Sequence, residues 1–200
     1  MISLFAVLLA YLIGAVPFGY LFVRVGTGQD VRGLGSGNIG ATNVLRTTGR
    51  GFAIAVLLLD IAKGYFAVWL AAWFTGRSLA WVSMAAAAML LGHCYPIFLK
   101  FRGGKAVATF IGAFLYLTPV SLLAVLLLFV VVVAKTRHIS LGSIVAAGLF
   151  PLAVWLIEHP PAPVLLVSIF AAILIVYRHK SNLERLRAGT ESVFRFQSPK

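Results

Sequence analysis

Six apolar runs, roughly 2–23, 52–74, 79–99, 106–134, 139–157 and 164–177, account for most of this 200-residue chain. A helix needs about 20 consecutive apolar residues to cross the hydrocarbon core of a bilayer. A soluble domain of this length would carry about 25% charged residues, yet only 11% are charged here and 61% are hydrophobic. Lipid must therefore be the solvent for much of the surface. The expected fold is an all-α integral membrane protein.

The polar segments between the runs decide sidedness. Lys and Arg total 17 against 5 Asp and Glu, a net charge of +12. A basic balance also suits nucleic acid, but the aromatic–basic interleaving of a soluble binding platform is missing, so no nucleic-acid partner is expected. In a membrane protein, Lys and Arg near span ends stay on the cytoplasmic side. They also favour anionic headgroups and phosphorylated substrates. The clusters at 24–50, 100–105, 135–137 and 178–187 are accordingly placed inside. The first run lacks a basic leader region and a cleavage site and reads as a retained span, with the N-terminus outside and Arg24 inside. Cys94 stands alone, which leaves no internal disulfide.

One run breaks the parity. Crossing once, residues 106–134 would carry Lys135 and Arg137 to the wrong side. Thr118–Pro119 lies near its middle, and proline disfavours helix in the residue before it. The run is therefore split into two short helices, near 105–117 and 119–134. The expected topology is seven transmembrane helices, N-terminus out and C-terminus in. No repeat or composition break appears, so residues 1–200 are expected to form a single membrane-embedded domain.

Chemistry concentrates in four segments. The first, Arg32–Arg50, reads RGLGSGNIGATNVLRTTGR. Its glycines permit positive φ, and successive backbone N–H groups can then converge on an anion. Ser36, Asn38, Thr42 and Asn43 add side-chain donors, and Arg46 adds a fork suited to phosphate. Gly35-x-Gly37-x-x-Gly40 satisfies the dinucleotide fingerprint literally, but no strand precedes it and apolar runs flank it. A flexible interhelical loop is the plainer reading, and the coincidence of Gly, Ser, Asn and Arg argues for the anion site.

The second segment is Gly92–Thr109, GHCYPIFLKFRGGKAVAT. Gly103-Gly104-Lys105 stands just before a helix, whose start offers free N–H groups and the positive end of the dipole. It is not a Walker loop, because Leu99 and Ala106 occupy positions where that motif needs Gly and Ser or Thr. His93 reads most simply as a helix-end histidine bonded to backbone, and Lys100 and Arg102 as anchoring charges. The third segment runs from Tyr177 to Glu191. On a continuing helix, His179 and Asn182 share a face; otherwise His179 is a water-exposed tail residue. The fourth is Asp60-x-x-Lys63, roughly 12–17 Å beyond the start of the second run at 1.5 Å per residue. Each ionisable group at that depth costs on the order of 2.5–3.5 kcal/mol. A mutual pair relieves that cost, and either a structural pair or a direct substrate role fits. No metal-ligand cluster is present.

Together these segments resemble one family, the bacterial acyl-phosphate:glycerol-3-phosphate acyltransferases of the PlsY type. The resemblance rests on Gly35-Ser36-Gly37-Asn38-Ile39-Gly40-Ala41-Thr42-Asn43 and on Gly92-His93, Pro96, Phe98-Leu99, Phe101 and Gly103-Gly104-Lys105. Asp60-x-x-Lys63-Gly64, His179, Asn182, Gly189 and Glu191 complete it over essentially the whole chain. One departure is visible. The family often continues Gly-Gly-Lys with Gly, whereas Ala106 stands here, a change of little consequence unless φ at 106 is positive.

The resemblance implies a seven-helix enzyme of the bacterial inner membrane, its site facing the cytoplasm, that needs no cofactor. It implies transfer of a fatty acyl group from acyl phosphate to the 1-hydroxyl of glycerol 3-phosphate, the first acylation of phospholipid synthesis. The products would be lysophosphatidic acid and phosphate; acyl-CoA and acyl-carrier protein would not be donors. On that reading Ser36, Arg46, Lys105 and His179 are the catalytic candidates. Gly37, Asn38, Thr42, Asn43, Gly103, Gly104 and Asn182 would bind substrate, with Asp60, Lys63 and Glu191 in support. Acyl phosphate is already activated, so proximity and oxyanion stabilisation are the main requirements. No Ser-His-Asp set exists to make Ser36 a nucleophile, and direct transfer is the simpler expectation. The hydroxyl proton would pass to His179 or to a substrate phosphate. A phosphate transporter is the rival reading, but such folds gather polar groups near the midplane, often in repeated halves.

Overall fold

A computed structural model describes residues 1–194. Among these the regular elements are all helical: α1 (Ile2–Ala15), α2 (Phe18–Thr27), α3 (Ala41–Thr47), α4 (Arg50–Phe74), α5 (Leu79–Cys94), α6 (Val107–Leu117), α7 (Pro119–Thr136), α8 (Ile139–Glu158), α9 (Ala162–Arg178) and α10 (Lys180–Arg187). The break expected at Thr118–Pro119 is present, with Pro119 at the first position of α7, where its missing N–H costs nothing. The even composition pointed to one domain. By its internal contacts the described chain forms two compact units, Met1–Ala113 and the described residues from Phe114, with the division inside α6.

In the first unit, small residues set how closely helices approach. Ala6, Ala10 and Gly14 recur every four residues along α1, and all are buried. A side chain at Gly14 would strike the Met89 backbone of α5, and one at Gly92 would strike the Tyr11 carbonyl of α1. Lipid supplies no hydrophobic drive between helices, so close backbone packing of this kind must supply the attraction. The Tyr11 hydroxyl adds a hydrogen bond to the Tyr95 carbonyl at 2.9 Å.

The first apolar run departs from expectation. A single helix over 2–23 was expected; the chain breaks at Val16–Pro17 and resumes as α2 to Thr27. Pro17 has no N–H to donate and pushes Val16 to extended geometry, φ −61 and ψ 115. Carbonyls in the last turn of α1 thereby lose their acceptor role in the helix.

In the second unit α7 packs on α8 and α8 on α9. Phe114 and Phe150 meet edge to face with centroids 4.6 Å apart, both fully buried. Glu158 Oε1 accepts the Ser121 N–H at 3.0 Å, satisfying one of the orphan amides at the start of α7.

Large apolar side chains remain exposed along both units, among them Trp73, Leu127, Leu166 and Ile173. Among the described residues five helices, counting α1–α2 as one, are long and apolar enough to cross a membrane, and a sixth is counted if α9 and α10 form one bent span. The seven crossings expected from charge parity need the 11-residue α6 to cross as well.

Candidate functional site

The glycine-rich segment after α2 is organised by one buried asparagine. Asn43, 2% exposed, accepts the Ser36 N–H at 2.9 Å through Oδ1. Its Nδ2 donates to the carbonyls of Leu34 at 3.0 Å, Asn38 at 2.9 Å and Val31 at 3.4 Å. Asn38 Oδ1 in turn accepts the Gly40 N–H at 2.8 Å, an Asx turn that leads into α3. Gly35 and Gly37 take positive φ, 56 and 70, and a side chain at Gly35 would collide with Asn43 Oδ1. Asn43 was expected among the substrate contacts. Its polar atoms are instead used in shaping the loop, because a buried amide cannot be left unsatisfied. Ser36 and Gly37 are exposed on this frame, Arg46 is exposed on α3, and Thr42 is half-buried. Arg32 pairs with Asp30 at 2.6 Å, lies over the Tyr20 ring and holds the Asp30 carboxyl down at about 2.

The Gly103-Gly104-Lys105 segment lies along the end of α5. Gly103 N–H donates to Cys94 O at 3.2 Å and Gly104 N–H to His93 O at 3.1 Å. Both amides are therefore occupied, and neither is presented to an anion as expected. What the glycines provide is space. A side chain at 103 would hit the His93 carbonyl and the Pro96 ring, and one at 104 the His93 imidazole. Lys105 is half-buried and directly precedes α6, whose first-turn amides have no partner within the helix. Ala106 has φ 61, the positive value that its departure from glycine made a concern.

Behind this loop lies a buried polar chain in the same unit. Lys63 Nζ is 2.9 Å from Asp60 Oδ1 and donates to Val16 O at 2.7 Å, the carbonyl released by the break at Pro17. It also sits over the Phe18 ring, 5.5 Å from the centroid. His93 Nδ1 is 3.9 Å from Asp60 Oδ1, and the other side of its ring abuts Gly104. Of the two readings open for Asp60 and Lys63, this geometry favours the brace. His93, read as a plain helix-end residue, connects the α4 pair to the Gly-Gly-Lys loop. Sequence spacing offered no signal for that.

The second unit carries the third segment. α9 and α10 meet at 54°, so His179 and Asn182 do not lie on one continuing helix. His179 occupies the bend and is 3% exposed, which excludes the exposed-tail reading. Its Nδ1 lies 2.8 Å from the Ile175 carbonyl. A carbonyl only accepts, so Nδ1 carries the proton and Nε2 the lone pair in the neutral ring.

Asn182, 5% exposed, donates through Nδ2 to Glu191 Oε1 at 2.6 Å. The same oxygen accepts Ser140 Oγ–H at 2.8 Å, while Oε2 accepts Arg185 Nε–H at 2.7 Å. Burial alone would push the Glu191 carboxyl up, but the bonds from Asn182, Ser140 and Arg185 outweigh it and hold it below the ordinary value. An arginine partner for Glu191 was expected from the surrounding sequence; Ser140 was not. Among the described residues no group of His, Cys, Asp and Glu could hold a metal ion.

The chain matches the family model for glycerol-3-phosphate acyltransferase over residues 4–189. A glycerol-3-phosphate acyltransferase of Geobacter sulfurreducens is 50% identical over 93% of this chain and 94% of its own. One from Syntrophotalea carbinolica is 43% identical over 98% and 100%. The crystal structure of PlsY (YgiH), an integral membrane glycerol 3-phosphate acyltransferase, in its glycerol 3-phosphate form superposes with a TM-score of 0.92 at 36% identity, covering 98% of this chain and 99% of that one. Its lysophosphatidic acid form gives 0.88 at 35%, covering 96% and 95%. The apolar helices, the glycine-framed loops and these matches agree: the chain belongs to the glycerol-3-phosphate acyltransferase family and is an integral membrane acyltransferase of the PlsY type, acting in phospholipid synthesis.

Proposed function

We propose that the protein moves a fatty acyl group from acyl phosphate to the 1-hydroxyl of glycerol 3-phosphate, without cofactor, metal or acyl-carrier protein. The bond between the acyl carbon and the phosphate oxygen breaks, an ester bond to the glycerol oxygen forms, and the hydroxyl proton leaves with the products lysophosphatidic acid and phosphate. The observation that carries this reading is the Asn43-organised loop exposing Ser36 and Gly37, with Arg46 exposed on α3 three residues after Asn43. Such a frame suits a phosphate and offers no nucleophile–base pair. A glycine-rich loop and a basic residue at a helix start, Lys105, supply two places for phosphate charge, and both proposed substrates carry phosphate.

In this account Ser36, Arg46 and Lys105 neutralise charge at the phosphates, with Gly37, Asn38 and Thr42 at the same anion. Asn43, Gly103 and Gly104 hold the loops in register. His179 and Asn182 orient glycerol 3-phosphate, and the proton of the attacking hydroxyl passes to His179 or to a substrate phosphate. Acyl phosphate enters from the lipid and glycerol 3-phosphate from the cytoplasm. The setting is the bacterial inner membrane, with seven crossings, the N-terminus out and the C-terminus in.

Kinetics of Arg46→Ala and Lys105→Ala test the phosphate roles. A hydrogen bond to a charged group contributes about 1.5–3 kcal/mol, so each change should lower kcat/KM roughly 10- to 150-fold. Unchanged kcat/KM for both substrates would remove the assignment. Recovery of a stable acyl-Ser36 adduct would overturn direct transfer.

A further inference from the structure

The connector between α5 and α6 holds two consecutive non-glycine residues in the left-handed region, Lys100 at φ 53 and Phe101 at φ 62. Such geometry persists only where its surroundings enforce it. Here the enforcement is visible. Leu99 N–H and Phe101 N–H both donate to Pro96 O, at 3.1 and 2.9 Å, and Arg102 N–H donates to Leu99 O at 3.2 Å. Leu99 itself is buried in a cluster with Val23, Val31, Val44 and Val56.

The outcome is a knuckle with one side chain anchored inward and its neighbours turned out. Ile97, Phe98 and Phe101 are 51%, 61% and 57% exposed, and Lys100 and Arg102 are exposed beside them. Among the described residues, no ion pair involves either cation. Three large apolar side chains next to two cations suit the boundary between headgroups and acyl chains. The knuckle's position agrees, because the apolar span Leu79–Leu99 ends within it.

We propose that Ile97–Arg102 is a lipid-contact element that seats Ile97, Phe98 and Phe101 at the headgroup–acyl boundary and sets Lys100 and Arg102 on anionic phospholipid headgroups. Near an anionic surface each cation favours that surface roughly fivefold, so the two together give ~30-fold. The next residues are Gly103 and Gly104, tied to the end of α5, and then Lys105. Lipid held at the knuckle is thus three residues from the Lys105 cation. The inference rests on the membrane spans, and its failure leaves the acyl-transfer reading untouched.

The test is a spin label at Phe98→Cys, and separately at Phe101→Cys, in the full chain. Buried Cys94 stays in place, and the unsubstituted protein serves as the labelling control. Power saturation in nanodiscs of phosphatidylcholine alone, or with half phosphatidylglycerol, reads accessibility to oxygen against a water-soluble nickel chelate. Oxygen should dominate at both sites, and the label should sit deeper with phosphatidylglycerol. Lys100→Gln with Arg102→Gln should abolish that lipid dependence. A label open to the nickel chelate in both lipids, or a depth shift unaffected by removing the two cations, would overturn the proposal.

Discussion

Lys63→Met isolates what the buried pair in α4 contributes. Lys63 Nζ serves Asp60 Oδ1 at 2.9 Å and Val16 O at 2.7 Å, and both pair members are almost fully buried. Removing one partner of a buried pair strands the other and costs about 3–5 kcal/mol. Loss of the Lys63 donor to Val16 adds little to this, since the half-buried Val16 carbonyl still accepts the Phe18 N–H at 3.2 Å. For a chain of this length 1 kcal/mol shifts Tm by about 2–4 °C, so Lys63→Met should lower Tm by roughly 6–20 °C. Asp60→Leu combined with Lys63→Met removes both charges, and the Val16 carbonyl keeps the Phe18 N–H at 3.2 Å. That double variant should unfold at a higher temperature than Lys63→Met alone and regain activity per folded molecule. The assay is thermal unfolding in detergent of the wild type, both single variants and the double, with turnover measured on the folded fraction. A double variant no more stable than Lys63→Met would refute the charge-pair reasoning. A stable but inactive double would refute the brace and return the pair to a substrate role.

Two further outcomes follow from particular residues. At Ala106, exchange to Gly relieves about 1–2 kcal/mol of left-handed strain but gives back about 0.5–1 in backbone entropy and up to ~0.8 for a buried methyl. Ala106→Gly should therefore leave Tm within about 6 °C of wild type, while Ala106→Val, branched and overpacked, should cost about 2–4 kcal/mol. Thermal unfolding of the pair checks this, and a tolerated Val would show that the fully buried site yields. At Glu191 the folded-state pKa lies below the ordinary 4.5. The network's contribution is then present above about pH 4.5 and is lost as pH falls through the depressed value. The stability gap between wild type and Glu191→Gln should hold from neutral pH to about 5 and close below it; a gap independent of pH would contradict the role of the charge.

The legible part of the fold was carried by long-range physics. Apolar run lengths announced the helices, and the charge conflict at Lys135 and Arg137 located the break at Pro119 that the structure contains. The same proline rule applied at Pro17 and was overlooked, because the run around it is apolar on both sides and raised no charge conflict. That omission hid the role of Lys63, which answers a carbonyl that only a broken helix releases. The glycine-rich segments were legible as special, but not what their glycines do. Gly103 and Gly104 were read as anion donors, and their amides are bonded to Cys94 and His93. Asn43 was read as a ligand residue and turns out to be the hub of its loop. Composition reveals donors, whereas satisfaction of those donors depends on which carbonyls the fold brings near. Ser140 reaches Glu191 across 51 residues of chain, and no local pattern encodes such a pairing.

The donor is the central claim, and one measurement addresses it most directly. Purified protein is mixed with glycerol 3-phosphate and palmitoyl phosphate, and phosphate release and lysophosphatidic acid are followed together, with palmitoyl-CoA as the control donor. Matched production of both products from palmitoyl phosphate, and none from palmitoyl-CoA, is the predicted result. Lysophosphatidic acid formed from palmitoyl-CoA but not from palmitoyl phosphate would contradict the account.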